Sequence, residues 1–141
     1  MAANKTVTFG PVAIPTTAGN LLSPGTTTGG VNMPENVANL YYVIRHLRVT
    51  NRTTAAIVFG TWLSTTADAT AGREVIWGAT ATGGPPATTI TAGTGVSVAA
   101  QSSIDWFGLM RISAADTNKF LTGIAAATGL VIEGEGEIGV V

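Results

Sequence analysis

The chain has 141 residues, seven basic and eight acidic, a formal net charge of −1 and no cysteine. That length fits one domain able to bury its own core without a disulfide or metal staple. The missing cysteines exclude thiolate metal sites and thiol nucleophiles, and the charge balance gives no long-range attraction to nucleic acid or anionic lipid. Only 11% of residues are charged, against about 25% in ordinary globular chains.

A compact monomer of this size has roughly 6,800 Å² of surface, or one charge per about 450 Å². Much of that surface must be Thr, Ala, Gly and apolar side chains, which suits a molecule covered by neighbours. The start, Met1-Ala2-Ala3-Asn4-Lys5-Thr6, has no apolar signal-peptide region, and no stretch reaches the 18 or so apolar residues of a membrane helix. Asn4-Lys5-Thr6 and Asn51-Arg52-Thr53 match the glycosylation sequon, and without a secretion signal both read as chance matches.

Residues 1–38 hold Pro11, Pro15, Pro24 and Pro34 among five glycines, a density that prevents long regular elements. They read as an extended Gly/Pro/Thr-rich arm, ordered by whatever it lies on, with short extended pieces at Lys5–Phe9 and Val12–Pro15. Residues 39–141 read as the folded domain. Tyr41–Thr50 is a strand, expected to turn Tyr41, Val43, Leu47 and Val49 to one face and Tyr42, Ile44, His46 and Arg48 to the other. Asn51-Arg52-Thr53-Thr54 reads as a turn leading into Ala55–Leu63, the second strand of a hairpin.

Arg73–Trp77, Thr88–Thr91, Gly95–Ala99 and Lys119–Ile124 are short strands. Ser103–Ile112 is a stronger one. Leu130–Val141 alternates cleanly, with Leu130, Ile132, Gly134, Gly136, Ile138 and Val140 against an odd row that contains Glu133, Glu135 and Glu137. No window holds a 3.6-residue apolar stripe. The prediction is an all-β chain, a single β-sandwich or jelly-roll-like domain of about eight short strands with an extended N-terminal arm.

Few groups invite chemistry. The one histidine, His46, would need Asp68, Asp105 or Asp116 and a nucleophile to form a triad, and no Gly-x-Ser-x-Gly elbow is present. The glycines of Gly25–Gly30 and Gly93–Gly95 lack the Lys-Ser/Thr and the helix that a phosphate loop needs. No catalytic residue, metal site or cofactor is assigned.

Glu133, Glu135 and Glu137 would stand about 7 Å apart along one strand face. Water, a basic row supplied by Arg45, Arg48 or Arg52, or a hard cation such as Ca²⁺ could compensate their repulsion. Gly134 and Gly136, on the other face, leave room for another backbone or a large ring. Trp62, Trp77 and Trp106 are core or interface aromatics, with a sugar-stacking platform as the competing reading.

Three stretches carry a family resemblance. Tyr42-Val43-Ile44-Arg45-His46-Leu47-Arg48-Val49-Thr50-Asn51-Arg52-Thr53 resembles a segment near the start of the β-domain in small tailed-phage head or tail proteins. Ser103-Ile104-Asp105-Trp106-Phe107-Gly108 is similar to a Tyr-Asp-Trp-Tyr-Gly-type strand of those proteins, and Ile132–Val140 to their closing strand. The resemblance covers about the last 100 residues.

It implies a β-sandwich without catalysis, made in the host cytoplasm and placed on the virion. A capsid decoration (cement) protein is the leading expectation, and a minor tail or head–tail protein the alternative. Its partners would be other copies of itself, as a cyclic oligomer such as a trimer, and the major capsid protein, with neither nucleic acid nor membrane. A carbohydrate-binding module using the three Trp residues is the alternative from another class. An ice-binding protein, suggested by the Thr-rich composition, lacks a regular Thr ladder.

Overall fold

The computed structural model describes residues 5–23, 31–32, 40–64, 72–77, 95–113 and 120–140. They form ten strands: β1 Lys5–Ala13, β2 Gly19–Ser23, β3 Val31–Asn32, β4 Leu40–Asn51, β5 Ile57–Ser64, β6 Gly72–Trp77, β7 Val96–Val98, β8 Ser103–Ser113, β9 Phe120–Ala125 and β10 Leu130–Val140. Among the described residues there is no helix, and so none able to cross a membrane. A four-stranded sheet runs β1-β10-β4-β8, and a six-stranded sheet runs β3-β2-β9-β5-β6 with β7 also on β5. All ladders are antiparallel except the short β2–β3 pair.

The two sheets pack face to face. Ile44, Leu47, Val49 and Ile132 from one meet Phe59, Leu63, Val98 and Leu121 from the other in a single buried cluster. The chain is a β-sandwich. The expected strand Thr88–Thr91 lies outside the described residues.

Two expectations are corrected. The strands from residue 41 and residue 55 do not form a hairpin: β4 lies in the four-stranded sheet and β5 in the six-stranded one, so the intervening residues are a corner between sheets. Asn51 makes that corner. Its side chain is buried, donates from Nδ2 to the carbonyls of Ala55 (2.8 Å) and Val98 (3.0 Å), and accepts from the Thr53 amide (2.9 Å) and hydroxyl (2.8 Å). These bonds use the full capacity of the amide and hold the turn together with backbone bonds from the Asn51 amide to the Ser102 carbonyl, the Arg52 amide to the Gly129 carbonyl and the Gln101 amide to the Thr53 carbonyl.

The second correction concerns the alternation in β4. Tyr42, Ile44, Leu47 and Val49 are the buried positions, because the register against β10 slips between Ile44 and His46. Arg45 is the extra residue. Strict period two cannot bury Ile44, Leu47 and Val49 together while keeping Arg45, His46 and Arg48 out. One bulged residue flips the phase and achieves both.

The bulge presses β4 against β10. A Cβ on Gly136 would lie on the Val43 carbonyl oxygen, and one on Gly134 would meet the Phe9 ring at 2.5 Å. Both glycines thus admit the close approach their sequence pattern suggests. Gly136→Ala must displace backbone, so it should cost about 3 kcal/mol, read as a lower urea midpoint with an unchanged slope. A loss below about 1 kcal/mol would mean that β4 moves aside freely.

The first 38 residues, read above as an arm ordered by its surroundings, supply strands to both sheets. β1 pairs with β10 and β2 with β9. Between them the Ile14 amide donates to the Leu130 carbonyl (3.0 Å) while the Pro15 carbonyl accepts from the Ala125 amide (2.8 Å), so this link fastens one sheet to the other. Ile14, Leu21 and Leu22 are buried in the shared core.

Candidate functional site

The charged residues gather on the outer face of the four-stranded sheet because registers and the β4 bulge bring them there. One cross-strand row is Thr8, Glu135, His46 and Phe107. The next is Glu133, Arg48 and Asp105. A third holds Thr6, Glu137, Val43 and Arg111. The three glutamates therefore do share one face with Arg45 and Arg48, and each is answered differently. Arg45 Nη2 lies 3.2 Å from Glu137 Oε2, and His46 Nδ1 lies 3.6 Å from Glu135 Oε1. Glu133 stands across the ladder from Arg48.

Arg48 is directly engaged by Asp105, a residue the sequence reading linked only to His46. Arg48 Nε donates to Asp105 Oδ1 at 2.8 Å, with Nη2 at 3.5 Å from Oδ2, and His46 Nε2 is 2.7 Å from Oδ1. The hydrogen bond from Arg48, and then that from His46, hold the Asp105 carboxyl below the usual carboxylate range. The same bond raises Arg48 further above its already high value. No local motif marks Asp105; only the β4–β8 register places it beside Arg48.

The imidazole of His46 stacks on Phe107, with centroids 4.6 Å apart and planes at 11°. Thr8, Gly10, His46, Arg48, Glu133 and Glu135 border an open depression of about 400 Å³. A hydrolytic triad would need a hydroxyl at the second imidazole nitrogen. Here that nitrogen faces Glu135, so His46 bridges two carboxylates across three strands. Asp68 and Asp116 lie outside the described residues. Among the described residues no three His, Cys, Asp or Glu side chains gather as a metal set.

The depressed Asp105 has a definite acid signature. A carboxyl whose folded pKa is lowered adds stability that is fully present above its unfolded value of about 3.9 and is lost as pH falls through the folded value. In Asp105→Asn, urea midpoints followed from about pH 6 to about pH 2 should fall less steeply at the acid end than in the parent chain. Equal slopes would mean that the pair with Arg48 does not persist in solution.

Beyond the charges lies an apolar pair. Phe107 and Leu109 are 75% and 69% exposed on β8, the outermost strand of this sheet. The three tryptophans do not converge on it as a platform. Trp62 is fully buried with Ile124 on the far side of the six-stranded sheet, so it offers no stacking face. Trp77 meets Phe59 edge-on at 5.3 Å, and Trp106 packs against the main core with its ring over Gly108. No protein-family model, curated protein or solved structure matches this chain.

Proposed function

We propose that the chain is a non-enzymatic structural protein of a tailed-bacteriophage particle, specifically a capsid decoration protein that works by packing against other copies of itself and the major capsid protein. The observation that carries this reading is the exposed Phe107–Leu109 pair on the edge strand of a sandwich whose chain is only 11% charged. A long edge strand bearing apolar side chains is a template for association unless something covers it. The three strands that resemble small tailed-phage proteins supply the setting, and all three, β4, β8 and β10, lie in the sheet that bears this face. The mechanism is mechanical: burial across capsomer junctions contributes roughly 25 cal/mol per Å², less the cost of association.

The test is binding of the purified protein to emptied tailed-phage heads that lack it, followed by imaging of the particles. Regular density on the shell that weakens in Leu109→Lys is the expected result. Absence of binding to heads, together with a clean monomer at high concentration, would remove the reading.

A further inference from the structure

We propose that a second copy of this chain pairs with the first along β8, edge to edge and antiparallel, about a twofold axis through Gly108. The inference rests on the reading of the β8 face as an association surface, and it names the occupant. Among the described residues no strand pairs with the far edge of β8. Its eleven residues run Ser103-Ile104-Asp105-Trp106-Phe107-Gly108-Leu109-Met110-Arg111-Ile112-Ser113, and their chemistry is symmetric about the central glycine. Serine answers serine, isoleucine answers isoleucine, Asp105 answers Arg111, Trp106 answers Met110, and Phe107 answers Leu109.

An antiparallel strand pairing with its own copy must oppose side chains of the same face, so the axis passes through a residue. With Gly108 on the axis, all eleven residues are paired. On the outer face Phe107 then lies against Leu109 of the second copy, and Asp105 against Arg111 of the second copy, twice over by symmetry. With Phe107 on the axis, Asp105 would instead meet a leucine. With Leu109 on the axis, Phe107 would meet an arginine. Unlike charges and apolar pairs directly opposed are the favourable cross-strand combinations.

The local geometry permits this pairing. Exposure alternates without a break from Ser103 to Ile112, so β8 keeps one set of side chains outward through the register shift that its ladder with β4 makes at Gly108 and Leu109, opposite Arg45. Asp105 uses Oδ1 for His46 and Arg48, while Oδ2 has only the 3.5 Å approach of Arg48 Nη2. Arg111 sits with its guanidinium 5.2 Å over the Tyr41 ring, and a guanidinium with five N–H donors serves several acceptors at once. The half-buried Trp106 would be covered on the inner side by Met110 of the second copy. Such an isologous contact joins the two four-stranded sheets and closes on itself without forming fibres.

The chain has no cysteine, so introduced thiols report the register. Phe107→Cys and Leu109→Cys are made as separate variants, and oxidised alone and as a mixture. The mixture should cross-link at least about tenfold faster than either variant alone, since only unlike positions oppose each other. Preferential cross-linking of one variant with itself would overturn the Gly108 axis. Sedimentation of the unmodified chain should show a dimer, and Leu109→Lys, at an exposed position that leaves the core intact, should weaken it about 100-fold or more. A monomer, or a dimer indifferent to Leu109→Lys, would overturn the inference. If that monomer still decorated emptied heads, the second copy would be refuted as the occupant while the virion reading stood. If it did not, both would fall.

Discussion

Asn51→Asp should destabilise the sandwich more than Asn51→Ala, although aspartate is the closer match in shape. The alanine variant loses the two donor bonds to the Ala55 and Val98 carbonyls and the acceptor for Thr53. For a buried group this should cost about 3 kcal/mol, or roughly 10 °C of melting temperature. The aspartate variant keeps the acceptor for Thr53 but points an oxygen at two carbonyls. An ionised carboxylate there is disfavoured by burial and by those dipoles, so its folded pKa should rise above the unfolded value. The extra loss is therefore small in acid and grows as pH rises through the carboxylate range. Thermal melts of both variants from about pH 4 to about pH 8 check this. If Asn51→Asp is no worse than Asn51→Ala at neutral pH, the amide is not what fixes the corner.

Removing residues 2–18 should abolish the cooperative unfolding transition. An extended arm acting only on neighbours would be dispensable for folding, but β1 covers one edge of β10 along most of its length, and the Ile14–Pro15 link bonds to both sheets. A milder version isolates the core contribution. Leu21 is fully buried on β2, and Leu21→Ala should cost about 3 kcal/mol. Urea titration of the truncated chain is decisive: a sharp transition near the parent midpoint would return residues 1–18 to the status of an appendage.

The parts of this fold that were legible in the sequence are those governed by period two alone. β10 buries Leu130, Ile132, Gly134, Gly136 and Ile138 and turns its glutamates outward, as the alternation reads, and Ser103–Ile112 and Arg73–Trp77 are strands within a residue or two. What escaped depends on contacts distant in the chain. The phase switch at Arg45 is invisible locally, since either parity of Tyr41–Thr50 buries some apolar residues. It follows only when β10 and β8 demand both halves of β4 at once. The Asn51 corner reads as a hairpin turn because Asn and Thr serve both, and its deciding acceptor, the Val98 carbonyl, is 47 residues away. The prolines and glycines near the N-terminus limit strand length without preventing pairing, so Ile14, Leu21 and Leu22 were the better guide to that segment. At the site, spacing puts Glu133, Glu135 and Glu137 on one face of β10, whereas strict period two sends Arg45 and Arg48 to opposite faces. Only the bulge at Arg45 brings both onto that face, and Asp105 as the anchor of Arg48 needed the β4–β8 register.

The ladder between β1 and β10 also sets the order in which the molecule can be made. The four-stranded sheet takes its strands from residues 5–13, 40–51, 103–113 and 130–140, with the last of them lying between the first two. A growing chain holds β1 and β4 while their common partner is still unsynthesised, so the sheet closes only when Leu130–Val140 arrives. Closing loops that long before any reward is slow, and chains of this kind fold in milliseconds to seconds. A prematurely ended chain can pair β4 with β8 but leaves β1 unjoined to them, so incomplete copies lack the closed sheet that backs the β8 edge.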